Sequence, residues 1–140
     1  MVVVDGEGVP LGKHLDSASP HEATLIEKTL DRVAVPRKGR GRPRKNPDRL
    51  IYDLAADSDP LRKRLKKRGI ELICPHRVNR TKPKLQDGRP LRRYRRRWKM
   101  ERTIAWLGNF RRLVVRYDRS IAMYNAFFHV ACVIITLRQF

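Results

Sequence analysis

The sequence has few acidic residues, almost no cysteine and no long apolar N-terminal run. Only 14 of its 140 residues are Asp or Glu, against 33 Lys or Arg, so the formal net charge is +19. The two cysteines exclude a disulfide scaffold and a four-cysteine zinc site, and they fit a reducing cytosol. The apolar run at the N-terminus is only four residues long, too short for a secretory signal peptide, so none is predicted. A protein with this much positive charge is expected to bind a polyanionic partner, and nucleic acid is the first expectation.

Several catalytic signatures are also missing. The sequence has no Gly-rich loop that would cradle a phosphate, no nucleophile elbow and no dinucleotide fingerprint. The four histidines lie far apart, and none stands with a cysteine at the spacing of zinc ligands. We therefore assign no site role to His14, His21, His76 and His129.

The positive charge is concentrated in two blocks. Residues 1–36 carry three bases and six acids, whereas residues 37–49 carry seven bases and one acid. Residues 89–119 carry twelve bases and two acids, and residues 120–140 carry Arg138 as their only charge. This pattern predicts a binding face that is built from two separated segments.

The first third of the chain predicts a hairpin and a helix. Residues 2–4 are typical of a strand, 5–8 of a turn and 9–15 of a second strand. Ser19-Pro20-His21-Glu22 matches a capping box, so a helix is expected to follow and to end near Pro36. Its apolar face consists of Ala23, Ile26, Leu30 and Val33.

The middle of the chain predicts a strand, a helix and a second strand. Residues 50–52 form a short apolar strand that delivers Asp53 at its end. Asp59 is the expected N-cap of the next helix, and Gly69 the residue just beyond its end. Residues 70–74 are again typical of a strand.

Two more helices are expected in the last third. One covers about 91–107, with Met100, Ile104 and Leu107 on its apolar face. The other covers about 120–138. The uncharged residues 121–137 would span about 26 Å as a helix, less than the roughly 30 Å of a bilayer core, so we favour a buried terminal helix over a membrane span. The fold class predicted is α/β, with at least part of a mixed sheet.

The basic linker 37–49 has two interpretations. Arg40-Gly41-Arg42-Pro43 resembles an AT-hook core, whose arginines enter the minor groove of DNA. Alternatively, the segment is a flexible chain that touches phosphates without regard to sequence, which we favour because the tetrapeptide is short. The candidate DNA-binding residues in this block are Arg40, Arg42, Arg44 and Lys45.

Two acidic residues stand out as candidate metal ligands. Tyr94, Arg97 and Glu101 are spaced three and four apart, so one helical face carries all three. Glu101 could instead be a salt-bridge partner of Arg97, and Asp53 could be a cap. However, α/β folds bind ligands at the carboxyl ends of their strands, and two acids in a basic groove suit metal-assisted phosphodiester chemistry.

Three stretches resemble bacterial insertion-sequence transposases of the DDE type. Residues 90–117, centred on Arg97-Trp98-Lys99-Met100-Glu101-Arg102-Thr103-Ile104-Ala105-Trp106-Leu107-Gly108, resemble the closing catalytic helix of that family. The run from Gly41-Arg42-Pro43-Arg44-Lys45 through Leu50-Ile51-Tyr52-Asp53 to Asp57-Ser58-Asp59-Pro60-Leu61-Arg62 is similar to the segment around its second catalytic Asp. Residues 2–30 resemble its central hairpin and the helix after it.

The resemblance implies a ribonuclease H-like fold that cuts and joins DNA with two divalent ions, Mg²⁺ or Mn²⁺. It implies that Asp53 is the second catalytic Asp and Glu101 the third acid, both of them metal ligands. Tyr94 and Arg97 match the family's spacing before that Glu. In related subfamilies a base follows six residues after the Glu; here Gly108 stands near that point, so Arg111 or Arg112 is the expected donor.

In the family, the first catalytic Asp lies on a strand upstream of the hairpin. Asp5 matches a non-catalytic turn position, so we expect the first metal ligand to come from an upstream transposase segment. The chain would then be either a truncated remnant or a second reading frame, inactive alone. A homo-oligomer on transposon ends and target DNA, and a bacterial cytoplasmic location at the nucleoid, are further expectations.

Two other classes of protein remain open. One is a non-catalytic basic DNA-binding protein that inhibits transposition by competing for DNA ends. The other is a small basic protein of the membrane surface with residues 121–137 inserted. Metal-dependent nicking would distinguish the first from an enzyme, and fractionation with membranes would favour the second.

Overall fold

The computed structural model describes residues 1–17, 20–86 and 88–139 and shows a mixed α/β chain. The strands are β1 (Val2–Val4), β2 (Pro10–Lys13), β3 (Arg49–Ile51) and β4 (Glu71–Ile73). The helices are α1 (Glu22–Leu30), α2 (Asp59–Lys67), α3 (Gly88–Tyr94), α4 (Trp98–Gly108), α5 (Arg111–Val114) and α6 (Ile121–Leu137). Short 3₁₀ turns cover Leu54–Ala56 and Arg95–Arg97.

The predicted hairpin is confirmed. β1 and β2 pair antiparallel, with Val2 opposite Lys13. The Asp5 carboxylate accepts hydrogen bonds from the backbone N–H of Glu7 at 2.7 Å and of Val9 at 2.9 Å. Asp5 therefore holds the turn together, in keeping with its expected non-catalytic position.

Helix α1 is shorter than the sequence suggested. The predicted capping residue Ser19 lies outside the described residues, and the helix begins at Glu22, where the side chain of His21 accepts from the N–H of Ala23. It ends at Leu30, well before Pro36. The predicted apolar face is otherwise correct, because Ile26, Leu30 and Val33 are buried and Ala23 packs against the core.

The middle of the chain is a parallel strand–helix–strand unit. β3 pairs with β4 in parallel, with Leu50 opposite Leu72. Ser58, not Asp59, caps α2, because its hydroxyl accepts from the N–H of Leu61. Gly69 has φ +77°, and the N–H of Ile70 donates to the Leu65 carbonyl at 2.9 Å, so the predicted Schellman ending is confirmed.

The hairpin and the parallel pair share one core. Side chains of α1, α2, β3 and β4 form a buried cluster, against which Met1 and Val3 of the hairpin also pack. The strands nevertheless form two separate two-stranded sheets, so one continuous mixed sheet is not seen among the described residues. The α/β class is correct, and the ribonuclease H-like fold stays a prediction.

A second core lies under α6. Ala131, Cys132 and Ile135 of this helix are buried against Leu107 of α4, and Val2 of the hairpin packs against the same cluster. The expected buried terminal helix is therefore buried only along this stripe, because Val130, Val133 and Leu137 on its other sides are 43–68% exposed. In the part of the chain that the structure describes, no helix is long and apolar enough to cross a membrane.

The helix expected over about 91–107 is interrupted. The 3₁₀ turn at 95–97 separates α3 from α4, so the helix that carries Glu101 begins at Trp98. The expected apolar face was also wrong in part: Ile104 is 53% exposed, whereas Thr103 is fully buried. The reason is tertiary, because the hairpin turn packs against the Thr103 side of α4.

The basic linker is shorter and more constrained than predicted. Arg49 belongs to β3, and the backbone groups of Val35 and Arg44 exchange two hydrogen bonds of 2.9 and 2.8 Å. This isolated bridge closes the residues between them into a loop. Residues 37–46 are exposed, as expected for a linker.

Candidate functional site

Asp53 lies at the carboxyl edge of the parallel strand pair. It lies two residues after Ile51, the last residue of β3, and is half-buried. Its Oδ1 accepts a hydrogen bond of 2.9 Å from the N–H of Ala55 and caps the 3₁₀ turn that begins at Leu54. The capping role that the sequence left open is therefore present. Because this bond uses one carboxylate oxygen and the described residues give the other no hydrogen bond, the second oxygen can serve as a metal ligand.

Glu101 lies on the exposed side of α4. Its Oε1 is 2.6 Å from Nη2 of Arg97, and its side chain is 56% exposed. The guanidinium of Arg97 in turn lies 5.7 Å from the ring centre of Tyr94. The predicted grouping of Tyr94, Arg97 and Glu101 is thus confirmed as a chain of contacts, including the salt bridge that was the simpler explanation of Glu101.

Asp53 and Glu101 contact different residues, Ala55 and Arg97 respectively. Across residues 1–17, 20–86 and 88–139, no group of three or more His, Cys, Asp or Glu side chains is arranged to hold a metal ion.

A buried carboxylate that the sequence analysis did not single out lies four residues after Asp53. The side chain of Asp57 is 3% exposed and accepts from Nη2 of Arg62 at 3.2 Å and from the N–H of Arg77 at 2.9 Å. Nδ1 of His76 is 2.9 Å away, and Nη1 of Arg80 is 3.9 Å away. Nothing in the local pattern around Asp57 predicts most of these partners, since His76, Arg77 and Arg80 lie about 20 residues downstream.

Both ring nitrogens of His76 have hydrogen-bond partners. Its Nε2 accepts a hydrogen bond of 3.1 Å from the backbone N–H of Leu85, so this nitrogen carries no proton. The proton must then lie on Nδ1, which donates to Asp57. The two hydrogen bonds of the His76 ring tie the loop after β4 to Asp57.

The hydrogen bonds decide the ionisation of Asp57. Burial alone would raise the pKa of this carboxyl, but the donors Arg77, His76 and Arg62 outweigh it and hold the pKa below its usual range. The neighbouring Asp59 accepts from Nη1 and Nη2 of Arg80 at 2.9 and 3.1 Å, which lowers its pKa as well. Both acids are therefore anions compensated by arginine.

An open cleft of about 500 Å³ borders this network. It lies between the first residues of α1 and α2 and the loop after β4. Its basic side chains include Arg77 and Lys82, which are exposed. Since the cleft follows the ends of β3 and β4, it occupies the edge at which α/β folds bind ligands.

The candidate DNA-binding residues of the linker differ in their surroundings. Arg40, Arg42 and Lys45 are exposed. Arg44 is ion-paired with Asp48 and donates from Nε to the Asn46 carbonyl at 3.1 Å. All four predicted cations are thus exposed, and the charge of Arg44 is partly neutralised by Asp48.

The candidate residues of the second basic block are held by aromatic rings. The guanidinium of Arg112 lies 4.7 Å from the ring centre of Phe127 and 3.7 Å from Asp118. That of Arg111 lies 5.9 Å from the ring of Tyr117. Both arginines are exposed.

The hairpin turn anchors the helix that carries Glu101. Thr103 donates to the Gly8 carbonyl at 2.6 Å, and Nζ of Lys99 is 3.1 Å from the Glu7 carboxylate. Arg102 also donates to the Glu7 carbonyl. These contacts use one side of α4 and leave Glu101 exposed on the helix.

Comparison with known proteins identifies the class to which this basic α/β chain belongs. The family described as "Transposase DDE domain" matches residues 1–136, so the chain belongs to the DDE transposase family. It is 34% identical over 141 residues to a Burkholderia cepacia protein named "Putative transposase for insertion sequence element IS402". The alignment covers 99% of this chain and 63% of that relative, so the chain spans less than two thirds of its length. No solved structure is significantly similar.

Proposed function

We propose that the chain is the part of an insertion-sequence DDE transposase that supplies two of its three catalytic carboxylates, Asp53 and Glu101. The observation that carries this proposal is the placement of Asp53 at the carboxyl edge of β3 and β4, within a chain that matches the family over residues 1–136. The complete enzyme would cut DNA strands at the element's ends and join them to target DNA, on the nucleoid in the bacterial cytoplasm.

The two carboxylates suit a divalent metal. Asp53 caps the 3₁₀ turn through Oδ1, and Glu101 faces solvent beside Arg97. Mg²⁺ and Mn²⁺ favour such carboxylate oxygens, completed by water and phosphate. When bound, a pair of such ions would stabilise the attacking and leaving oxygens of a phosphodiester. We propose that the third acid comes from a segment outside these 140 residues.

The same segment would complete a ribonuclease H-like sheet. β1 pairs only with β2, and β3 only with β4, among the described strands. Both pairs nevertheless pack on one core. An additional strand between them, carrying the third acid, would join the pairs into one mixed sheet and would bring that acid beside Asp53.

DNA would be held by the two basic blocks. The proposed contacts are Arg40, Arg42, Arg44 and Lys45 in the linker, and Tyr94, Arg97, Arg111 and Arg112 in the second block. Neutralising several phosphates releases counterions, so the binding constant should fall steeply between about 50 and 200 mM salt. A binding constant that hardly changes over this range would contradict electrostatic DNA binding.

The catalytic assignment is tested by strand cleavage. The purified chain is incubated with DNA carrying the element's ends and with Mg²⁺ or Mn²⁺, alone and fused to the segment of the IS402 relative that it does not span. We expect binding without cleavage for the chain alone and cleavage by the fusion. Asp53→Ala and Glu101→Ala should each abolish cleavage by the fusion, whereas Glu27→Ala, a surface control, should not. Nicking by the chain alone that depends on Asp53 would contradict the need for a third acid.

Metal binding gives a second test of the same pair. If Asp53 and Glu101 share ions roughly 3.5–4 Å apart in the fusion, Mn²⁺ binding measured by paramagnetic resonance should weaken in either variant. Equal Mn²⁺ affinity in both variants and in the parent fusion would remove the assignment.

A second candidate function is a non-catalytic DNA-binding protein that inhibits transposition. One observation favours it: both acids already have structural partners, Asp53 as a cap and Glu101 as an ion pair with Arg97. In that case the fusion would bind DNA ends without cutting them, and the 140-residue chain would inhibit a full-length transposase that recognises the same ends.

A further inference from the structure

We propose that three ring-held arginines, Arg111, Arg112 and Arg116, form the principal DNA-phosphate surface of the chain, ahead of the linker arginines. We call these three the arginine surface. This inference rests on the proposed DNA-binding function and adds to it which basic block determines affinity, and why.

Each arginine of this surface lies against an aromatic ring. The distance from the guanidinium carbon to the ring centre is 4.7 Å for Arg112 and Phe127 and 5.9 Å for Arg116 and Tyr124. Arg111 lies 5.9 Å from the ring of Tyr117. A guanidinium over a ring face is attracted by the ring's quadrupole, which restricts its orientation.

Hydrogen bonds restrict the same groups further. Arg111 donates to the Tyr117 hydroxyl at 3.3 Å, and Nε of Arg116 donates to the Asp118 carbonyl at 3.0 Å. The Tyr124 hydroxyl donates to the Leu113 carbonyl at 3.0 Å, so this ring is itself fixed to α5. The arginines are therefore positioned before any ligand arrives.

The charge around the arginine surface favours an anion. Residues 111–119 contain four arginines and one acid, Asp118, and residues 121–137 contain no charged side chain. The side chain of Arg112 is 56% exposed, and Asp118 is 3.7 Å from it. Several positive charges on a neutral helical support match the spaced phosphates of a DNA backbone.

The linker lacks this arrangement. Arg40 and Arg42 are exposed on the loop that the Val35–Arg44 bridge closes, and Arg44 is ion-paired with Asp48. A long side chain that is free in solution loses rotamer freedom when it binds a phosphate. Since the arginine surface has already lost that freedom on folding, each of its contacts should contribute more to affinity.

The experiment compares two variants that keep the net charge. Arg111→Lys, Arg112→Lys and Arg116→Lys are combined in one protein, and Arg37→Lys, Arg40→Lys and Arg42→Lys in a matched linker variant. Lysine preserves the charge but loses the planar group that lies flat on a ring and contacts phosphate with two N–H donors. The probe is a fluorescein-labelled 30-base-pair duplex, and the dissociation constant is measured by anisotropy at 100 mM salt.

We expect the dissociation constant to rise at least tenfold for the arginine-surface variant and by a clearly smaller factor for the linker variant. Phe127→Leu removes a ring and leaves every charge, so it should also weaken binding several-fold while circular dichroism shows unchanged helix content. If Phe127→Leu unfolds the chain, the two lysine variants alone test whether the arginine surface determines DNA affinity.

The outcomes separate the two proposals. Equal losses in both lysine variants, or a larger loss in the linker variant, would overturn the arginine surface and leave DNA binding intact. Failure of the unmodified chain to bind the duplex at all would overturn the proposed function itself.

Discussion

The hydroxyl of Thr103 donates a hydrogen bond of 2.6 Å to the carbonyl oxygen of Gly8, which joins the hairpin turn to the middle of α4 across 95 residues of sequence. Both residues are buried. Gly8 has φ +86°, a conformation that L side chains rarely adopt. Glycine at position 8 and the hydroxyl of Thr103 together allow the hairpin turn and α4 to pack closely.

Gly8→Ala should destabilise the fold. A Cβ here would lie 3.0 Å from Oγ1 of Thr103 and 3.3 Å from the Lys99 carbonyl oxygen, in addition to the strain of positive φ. We expect the free energy of unfolding to fall by about 1–3 kcal/mol in denaturant titrations. Gly6→Ala is the matched control, since nothing lies within 4 Å of its Cβ. Equal stability of the two variants would contradict this close contact.

Thr103→Val keeps the size of the side chain and removes its hydroxyl. The buried Gly8 carbonyl then loses this donor, so we expect a cost of about 1–3 kcal/mol in the free energy of unfolding. Thr136→Val is the control, because the Thr136 hydroxyl bonds at 2.8 Å to the Cys132 carbonyl of its own helix. A Thr103→Val protein as stable as the Thr136→Val protein would show that the link to Gly8 contributes nothing.

Asp57 should make stability depend on pH in the acid range. Its pKa is lower in the folded chain than the ordinary value of 3.8, so the unfolded chain binds the proton more tightly. The stabilisation is complete well above pH 3.8 and is lost as the pH falls through that value towards the folded pKa. Urea titrations from pH 6 to pH 3 should show the loss.

Asp57→Asn removes both the anion and this pH dependence. We expect lower stability at pH 6 and a shallower decline in acid, because Arg62 and Arg80 lose their buried counter-ion. Glu27→Gln serves as the control, since it breaks only a surface ion pair with Arg64 and should cost less than about 1 kcal/mol. If Asp57→Asn lost as much unfolding free energy between pH 6 and pH 3 as the parent chain, this account would be refuted.

The two cysteines should be unreactive in the folded chain. Burial raises the pKa of Cys74 to about 11, and it raises that of Cys132 as well, so almost no thiolate is present at neutral pH. Alkylation by iodoacetamide at pH 7.5 should therefore be slow without denaturant and rapid for both thiols in urea. Fast labelling of the native chain would contradict the described packing.

Local signals in the sequence predicted several elements well. The hairpin turn around Asp5 and the helix ending at Gly69 were predicted because turn residues and helix stops act on their immediate neighbours. The apolar spacing of α1 and the uncharged apolar run of α6 predicted helices for the same reason. The boundaries were less certain: Ser58 took the capping role expected of Asp59, whose carboxylate is instead bound by Arg80.

The candidate site was predicted only in part. Residue types and spacing placed Asp53 at a strand end and Glu101 beside Arg97, and both placements are seen. Their catalytic roles remain a proposal that cleavage and metal binding must test. The buried group of Asp57, His76 and Arg80 was not predicted, because its members lie about 20 residues apart and each is unremarkable in its local sequence.

By itself, the sequence determined the charge, the α/β class and the local chain reversals, since composition and short-range backbone preferences are properties of neighbouring residues. Only the tertiary structure decided which face of α4 is buried, with Thr103 inside and Ile104 exposed. It also decided which arginines are compensated and which lie on rings. These outcomes depend on groups far apart in sequence, whose pairing is set by how the hairpin, the parallel strands and the terminal helix pack together.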